Sequence, residues 1–250
     1  MSKIKLSDYS TLPPDDINKG EIKNLTKQYA ERIGELHTMM AADGDHSLLI
    51  VLQGMDASGK DGAVKDVFRE CLPTAMSAHS FKKPTEEEFA HDFLWRCHKI
   101  APRKGRTKIF IRSHYEDILI QRVHGWIDED RVDMRINAIN AWETLLQEDN
   151  NTTILKFYLH ISHDQQEIEL QQRIDERDKN YKHNEGDWEE RKHWDKYMEC
   201  YHDVINRCNA IPWHIIPVDK RWYRSYLISK IVMETMESWN LEYPALEADG

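Results

Sequence analysis

The sequence predicts an α/β protein whose parallel sheet is covered by helices on both faces. Short apolar runs alternate along the 250 residues with segments of helical periodicity, a pattern typical of parallel strands joined by crossover helices. The first apolar run, residues 47–53, leads into a glycine-rich loop and then into a helix. A strand, loop and helix in this order turn backbone N–H groups toward a bound anion.

Residues 1–45 are predicted to form an N-terminal arm and helix, and residues 46–250 the core. Residues 1–20 are polar and contain Pro13-Pro14, which favours an extended arm. Residues 21–42 repeat apolar side chains at helical spacing.

Four more strands follow the first one, and helices separate them. They are predicted at residues 75–81, 107–111, 153–160 and 213–218. Predicted helices cover residues 61–72, 85–100, 115–124, 131–148 and 222–239, and Thr85 with Glu88 forms a capping box at the start of the second of them. The predicted fold is therefore a three-layer, phosphate-loop nucleotide-kinase-like fold with a five-stranded parallel sheet.

Residues 164–206 are predicted to be helical, with a break near Asn184, and they are heavily charged. They look too polar for a core element, so we expect a helical lid over the carboxyl ends of the strands, where ligands bind in such sheets. The alternative is a plain helical hairpin on the surface.

The net charge of −10 argues against general binding to nucleic acid or membranes. Basic residues are nevertheless concentrated within about forty residues of the chain, which suits a polyanionic ligand. The alternative is a solvated charged surface. These residues are Lys82, Lys83, Arg96, Lys99, Arg103, Lys104, Arg106, Lys108, Arg112 and Arg122.

The four cysteines show no CxxC pair and no metal-ligand spacing, so we expect reduced thiols in a cytoplasmic protein. The N-terminus lacks the apolar core of a signal peptide. No apolar stretch approaches the ~20 residues that a membrane span requires. The histidines are scattered and indicate no zinc site.

The glycine-rich loop has the spacing G-x4-G-K, ending at Lys60. Its glycines let the backbone approach phosphates, and its lysine supplies a point charge. Asp61 stands where Ser or Thr normally holds Mg²⁺, but a carboxylate also binds Mg²⁺. The alternative is a chance glycine-rich turn. The residues expected to bind phosphate in this loop are Gly54, Ala57, Ser58, Gly59, Lys60 and Gly62.

Other candidates for phosphoryl transfer lie after the third strand and in the lid. Arg112 follows that strand, with Glu116 and Asp117 shortly after it and Arg122 five residues beyond Asp117. The alternative for Arg122 is an ordinary surface arginine with no part in phosphoryl transfer. Lid cations such as Arg173, Arg177, Lys179 and Lys182 are expected to reach the phosphates. Asp56 and Asp61 are the candidate Mg²⁺ ligands, with Mn²⁺ as a substitute metal.

Several uncommon blocks of residues resemble the type-2 polyphosphate kinase family, and together they extend over residues 20–240. These blocks are residues 54–62, Ser80-Phe81-Lys82-Lys83-Pro84, residues 91–96, residues 112–119 with Arg122-Val123-His124, residues 155–162, Trp194-Asp195-Lys196-Tyr197 and residues 212–223.

This resemblance implies Mg²⁺-dependent transfer of the terminal phosphate of inorganic polyphosphate to a nucleotide. Carried across, Asp56 and Asp61 would orient the metal and acceptor, and Lys60 the transferring phosphate. Arg112 and Arg122 would meet the developing charge. Glu116 and Asp117 would lie near the metal or the acceptor.

The resemblance also implies that Lys82 and Lys83 line the polyphosphate path. The sequence Tyr115-Glu116-Asp117 is similar to that of the class III subgroup, which acts on both nucleoside mono- and diphosphates. The resemblance therefore implies AMP and ADP as acceptors, with GMP and GDP as further candidates.

Three departures from the family pattern bear on activity. Ile111 replaces the usual Asn or Asp before Arg112, and Glu169 stands where an arginine often begins the lid's basic pattern. In the lid, Glu176-Arg177 replaces the usual Asp-Pro and Tyr181 the usual Trp. Two rival functions stay open: an ATP-dependent nucleotide kinase, and a non-catalytic regulator that binds polyphosphate or nucleotide. The apolar helices near both termini suggest a homo-oligomer, either a dimer or a tetramer.

Overall fold

The computed structural model describes residues 3–246, so the outermost residues of the predicted arm and core lie outside the described part. The strands are β1 (Ser47–Gln53), β2 (Met76–Ser80), β3 (Thr107–Ile111), β4 (Thr152–His160) and β5 (Trp213–Pro217). The α-helices are α1 (Lys19–Asp43), α2 (Lys60–Val67), α3 (Glu86–Phe89), α4 (Trp95–His98), α5 (Ile120–Val123), α6 (Glu129–Asn150), α7 (His163–Asp175), α8 (Glu185–Arg191), α9 (Trp194–Arg207) and α10 (Arg221–Glu237). Short 3-10 turns occupy Leu6–Asp8, His114–Asp117 and Asn180–Lys182.

The five strands form one sheet in the order β2-β3-β1-β4-β5, and every pairing is parallel. The predicted α/β fold with a five-stranded parallel sheet is thus confirmed. Strand β1 lies in the centre and is buried at every position, because helices cover both of its faces. From β1 the chain forms β2 and β3 on one side of it, and then β4 and β5 on the other. The crevice for ligands in such sheets lies at this reversal, outside the carboxyl ends of the strands.

Two predicted helices are broken in the structure. The capping box of Thr85 and Glu88 is present, but α3 has four residues and a second short helix, α4, begins only at Trp95. The side chain of Asp92 accepts a hydrogen bond from the N–H of Leu94 at 3.0 Å. Such a side-chain bond competes with the helical backbone pattern, which explains the break.

The segment predicted as a helix at 115–124 is likewise a 3-10 turn followed by α5. Ser113 accepts from the N–H of Tyr115 at 3.2 Å and so shapes the turn directly after Arg112. Within this irregular turn, Glu116 lines a cavity at the carboxyl edge of the sheet, whereas His114, Tyr115 and Asp117 are buried. Helix α2 also ends earlier than predicted, at Val67.

The charged stretch 164–206 divides into two parts. Helices α7 and α8 with the 3-10 turn between them are mostly polar. The expectation that the whole stretch is too polar for the core is wrong for α9, which buries Tyr197, Tyr201 and Val204 in the main hydrophobic cluster. The apolar residues of α9 repeat at helical spacing on one face, so a low average hydropathy conceals a core helix.

A buried ionic cluster lies beneath the 3-10 turn that follows β3. The ammonium of Lys156 on β4 donates to Glu143 Oε2 at 2.7 Å, to the hydroxyl of Tyr115 at 2.9 Å and to the carbonyl of Cys208 at 2.9 Å. Lys156 and Glu143 are each 0% exposed. Every donor of Lys156 therefore has a partner, which is what makes a buried charge tolerable.

No helix in the described range, 3–246, is both long and apolar enough to cross a bilayer.

Candidate active site

The loop after β1 has the backbone of a phosphate-binding turn. Gly54, Ala57 and Gly59 have positive φ angles of 147°, 64° and 87°, and Gly59 caps the start of α2. A Cβ on Gly59 would lie 2.2 Å from Nη1 of Arg224, so a side chain fits there only if this arginine moves. The glycine is required for close approach as well as for its conformation.

Lys60 is folded back over its own loop. Its side chain is 8% exposed, and its ammonium donates to the carbonyls of Gly54 at 2.7 Å and Met55 at 3.0 Å. Burial lowers the pKa of Lys60 to about 8, although the nearby Asp56 opposes this shift. A buried cation held by neutral carbonyls gains strongly from an arriving anion.

Asp56 and Arg112 form an ion pair that joins the loop to the end of β3. Arg112 has a positive φ of 59°, while its N–H still donates to the carbonyl of Leu52 at 3.0 Å. Burial opposes ionisation of Asp56, but the charges of Arg112 and Lys60 prevail and lower its pKa. The Asp56 carboxylate raises the pKa of Arg112 in turn. Both groups are charged at neutral pH.

Two cavities meet at this ion pair. The larger, of about 780 Å³, runs between the phosphate loop and the lid segment, and the smaller, of about 250 Å³, extends toward α9. Asp56 and Arg112 line both of them, as do Asn184 and Asp187. A group bound at the junction is within reach of ligands in either cavity.

Cations converge on the larger cavity from three sides. The predicted phosphate-binding residues Lys60, Lys82, Arg173 and Lys182 all line it, together with Ala57, Gly59 and Gly62 of the loop. Arg173 donates to Asp187 at 2.6 Å, and Lys182 lies 3.5 Å from Asp61. The lid segment thus contacts the first turn of α2. Gly54 lines the smaller cavity, and Ser58 is buried within the loop.

Carboxylates dominate the smaller cavity. Asp56, Glu116, Asp187 and Glu190 line it beside Arg112. Burial raises the pKa of Glu116 although Arg112 opposes this, and burial followed by repulsion from Asp56 raises that of Asp187. These carboxylates repel one another. A cation, or a ligand that donates hydrogen bonds, would relieve the repulsion.

The structure does not bring Asp117 to the junction. Its Oδ2 accepts from Arg96 at 2.9 Å and its Oδ1 from Gln121 at 2.8 Å, and the residue is 4% exposed. Burial raises its pKa, and the charge of Arg96 opposes that shift. Both oxygens are used to hold the turn after β3, which makes Asp117 a positioning residue in this conformation and corrects the predicted contact with substrate.

Arg122 is also occupied elsewhere. It donates to Glu129 at 2.6 Å and to Asp203 at 2.8 Å, so it fastens α5 to the start of α6 and to α9. It lines neither cavity. The predicted contact with developing charge is not present in this conformation, and the partners, 7 and 81 residues away, could not be read from the motif.

The basic stretch divides between the two edges of the sheet. Lys82 lines the larger cavity and Lys83 lies exposed beside it in sequence. Arg103 lies with Lys99 and Arg106 at the amino ends of β2 and β3, and Lys104 pairs with Asp45 at 2.7 Å just before β1. The basic stretch therefore does not form one polyanion-binding surface, because parallel strands carry Arg103 and Lys104 to the opposite edge.

Two contributors to the site were missed by the sequence analysis. Arg224 on α10, 2% exposed, donates to the carbonyl of Gly59 at 3.0 Å and to Asp66 at 3.1 Å, so it supports the loop from below. Gln166 on α7 donates to the carbonyl of Asp56 at 3.0 Å. Neither residue has a spacing that relates it to the loop, although residues 212–223 of the family pattern end beside Arg224.

The predicted metal ligands are unlike each other. Asp56 is committed to Arg112, and Asp61 is 64% exposed. Between residues 3 and 246, no group of three or more His, Cys, Asp or Glu side chains forms a metal cluster. Mg²⁺ often binds through one or two carboxylates and completes its shell with water and substrate phosphates, and the carboxylates at the junction fit that mode.

The parallel sheet, the glycine-lysine loop and the overlying helices define a phosphate-loop kinase-like fold. The family model described as polyphosphate kinase 2 (PPK2) matches residues 16–244. The chain belongs to the polyphosphate kinase 2 family, which confirms the resemblance seen in the sequence and the kinase class.

Relatives with assigned names extend over most of the chain. It is 44% identical over 218 residues to an AMP/ADP-polyphosphate phosphotransferase of Meiothermus ruber, covering 86% of this chain and 81% of the relative. It is 35% identical to an ADP-polyphosphate phosphotransferase of Rhodopseudomonas palustris, covering 97% and 89%. The crystal structure of polyphosphate kinase 2 from Arthrobacter aurescens TC1 superposes with a TM-score of 0.95 at 35% identity, covering 100% of this chain and 91% of that one.

Proposed function

We propose that this protein transfers the terminal phosphate of inorganic polyphosphate to nucleoside mono- and diphosphates. AMP and ADP are the proposed acceptors, and GMP and GDP extend the set. The observation that carries the proposal is the meeting of two cavities at Asp56 and Arg112, one rich in cations and one rich in carboxylates. The names of the relatives from Meiothermus ruber and Rhodopseudomonas palustris support polyphosphate as the donor and AMP and ADP as acceptors.

The larger cavity would hold the polyphosphate end. Lys60 would leave the carbonyls of Gly54 and Met55 and bind the transferring phosphate, because an anion is a better partner for a buried ammonium than a neutral oxygen. Loop N–H groups and Arg112 would stabilise charge that develops on that phosphate. Lys82, Arg173 and Lys182 would hold the next phosphates of the chain.

The smaller cavity would take the acceptor's phosphate end. Arg112 would orient it for in-line attack on the donor. A general base is not required, because the attacking oxygen already belongs to a phosphate anion at neutral pH. Glu116 and Asp187 would hold donor groups of the nucleotide, and Asp117 with Arg122 would fix the turn and helix that carry Glu116.

A divalent metal fits this arrangement of carboxylates. Asp56 and Asp61 are the proposed ligands for Mg²⁺, or for Mn²⁺ as a substitute, with Glu116 as a third nearby carboxylate in the smaller cavity. When bound, the metal would neutralise phosphate charge during transfer. Asp56 would then exchange part of its contact with Arg112 for the metal.

We further propose that residues 164–191 form the lid and that α9 belongs to the core. The contacts of Lys182 with Asp61 and of Gln166 with the Asp56 carbonyl support a lid that closes over the phosphate loop. We also propose that the protein is a homo-oligomer, either a dimer or a tetramer. Size-exclusion chromatography tests this proposal. The four free, buried cysteines support a cytoplasmic location.

A donor-and-acceptor matrix tests the function. The purified chain is incubated with Mg²⁺ and either polyphosphate or ATP as donor, against AMP, ADP, GMP and GDP, and products are separated by ion-exchange chromatography. Polyphosphate should give ADP and ATP from AMP, and EDTA should stop the reaction. Transfer from ATP alone would favour an ordinary nucleotide kinase, and binding without turnover would favour a regulator.

A further inference from the structure

A second groove, rich in basic side chains, lies beside the phosphate-binding cleft where α1, α2 and α10 meet. Its volume is about 550 Å³. Of the charged residues that line it within the described chain, one is acidic, Asp66, and five are basic. The basic residues are Lys19, Lys23, Lys27, Arg69 and Arg221. This excess of positive charge stands out in a protein whose net charge is −10.

The three lysines form a row along α1. They are four residues apart, so they lie on one face of the helix. In the part of the chain that the structure describes, Lys19 and Lys23 form no ion pair, and Lys27 has an exposed contact with Glu31 at 3.7 Å. The carboxylate of Asp66 is already bound by Arg224 and Ser225. The charge of the lysine row is therefore available to a ligand.

The groove and the larger cavity are neighbours. Asp66 and Arg221 line both of them. Arg221 begins α10, three residues before Arg224, which supports the phosphate loop. Arg221 therefore lies between the phosphate-binding cleft and the lysine row of α1.

We propose that this groove binds the segment of polyphosphate remote from the reacting end. The proposal rests on the proposed function and adds to it a basis for preferring long donors. Each internal phosphate of the polymer carries a negative charge, and a row of exposed lysines, of which Lys27 alone has an ion-pair contact in the described chain, matches a flexible polyanion without requiring a single geometry. A short donor fills the cleft and leaves the groove empty, whereas a long donor occupies both.

Glu169 pairs with Arg221, the arginine that the groove and the larger cavity share. Its carboxylate accepts hydrogen bonds from Arg221, and both residues line the larger cavity. This pair neutralises the cation at the point where the two spaces join. Removing the carboxylate leaves Arg221 free for the polymer, so Glu169→Gln is expected to tighten binding of long donors.

The test compares long and short donors in matched variants. Lys19→Gln/Lys23→Gln/Lys27→Gln removes the row, and glutamine keeps the helix propensity of lysine. Lys99→Gln/Arg103→Gln/Lys104→Gln makes the same charge change among exposed residues at the opposite edge of the sheet. Binding of polyphosphate of about 100 phosphates and of tripolyphosphate, each without nucleotide, is measured by isothermal titration, and turnover is measured with both donors. Circular dichroism checks that each variant is folded.

The row variant should bind the long polymer about tenfold more weakly and tripolyphosphate less than twofold more weakly, since exposed ion pairs each contribute modestly. High salt should remove the difference, because exposed charges are screened. Glu169→Gln should shift long-polymer affinity in the opposite direction. The opposite-edge variant should behave like the wild type.

Three results would overturn the proposal that the groove binds polyphosphate. The row variant could lose equal affinity for long and short donors, it could lose affinity for neither, or the opposite-edge variant could lose as much affinity as the row variant. These results leave the proposed function intact as long as the wild type transfers phosphate from polyphosphate. A wild type that neither binds nor uses polyphosphate overturns both. A donor-length series then gives the number of phosphates at which the row begins to contribute.

Discussion

Lys60 and Lys156 are both buried lysines on or beside the central strands, and they differ in what holds their charge. Lys156 has a carboxylate, a hydroxyl and a carbonyl within 3 Å, all inside the core. Lys60 has two loop carbonyls and a distant serine hydroxyl at 3.5 Å, with its nearest carboxylate committed to Arg112. The first charge is fully satisfied by the protein, and the second is left for a ligand.

This difference separates stability from function. A paired buried charge specifies where core elements meet, and it gains nothing from further partners. A buried cation whose pKa is lowered to about 8 carries an unfavourable desolvation that an anion can offset. Substitution of Lys156 should therefore change mainly the free energy of unfolding, and substitution of Lys60 should change mainly phosphate binding.

The Lys156→Met variant should lose about 3–5 kcal/mol of the free energy of unfolding, because Glu143 would stay buried without its cation. Urea denaturation measures the loss. Lys156→Met/Glu143→Gln, which removes both charges, should regain most of it. If the double variant is as unstable as the single one, the packing of the lysine stem rather than its charge is responsible.

The Lys60→Met variant should reduce turnover roughly a hundredfold or more, since it removes a cation aimed at the transferring phosphate. Its thermal unfolding midpoint should stay near the wild-type value or rise, because no carboxylate loses a direct partner. Steady-state kinetics with polyphosphate and ADP, alongside differential scanning fluorimetry, measure both properties. Wild-type turnover in this variant would remove the loop from the mechanism.

The Asp56→Asn variant tests the pairing that keeps a carboxylate from Lys60. The Mg²⁺ concentration for half-maximal rate should rise roughly tenfold or more if Asp56 is a metal ligand. Asp61→Asn serves as the matched variant, because its side chain is exposed and should cause a smaller shift. Unchanged Mg²⁺ titrations in both would make these residues shapers of the loop only.

The pH dependence of polyphosphate affinity should reflect the lowered pKa of Lys60. A lysine is charged below its pKa, so affinity should be greatest below pH 8 and fall severalfold between pH 7 and 9 as the free protein loses this proton. Lys60→Arg stays charged throughout this range and should flatten the profile. A fall of the same size in the arginine variant would point to another group.

The sequence predicted the parts of the fold that depend on local pattern. Strands β1 and β3 begin and end where their apolar runs do, and the capping box at Thr85 is present. The sequence did not predict that Asp92 would interrupt the helix expected at residues 85–100. The bond from the Leu94 N–H to the Asp92 side chain competes with helical hydrogen bonds, and no local pattern in the sequence indicates it. Helix α9 was misread because its charged face hides the apolar one.

The site was predictable where the motif itself is the site. Most of the loop from Gly54 to Gly62 lines the two cavities, together with Arg112 and Glu116. Their roles in binding phosphate, metal and nucleotide stay predictions. Asp117 and Arg122 were assigned to substrate because they sit close by in sequence, but Arg96, Glu129 and Asp203 take up their charges. Such partners depend on how distant elements cross, and no spacing in the chain records them.

The support of the phosphate loop by Arg224 has a consequence for the order in which the protein is made. The loop is complete as a peptide by residue 62, yet the guanidinium beneath Gly59 is translated more than 160 residues later. At about 5–20 residues per second, synthesis leaves the loop without this support for roughly ten to thirty seconds. A nascent chain on the ribosome is therefore expected to lack the supported phosphate-binding turn until α10 has emerged.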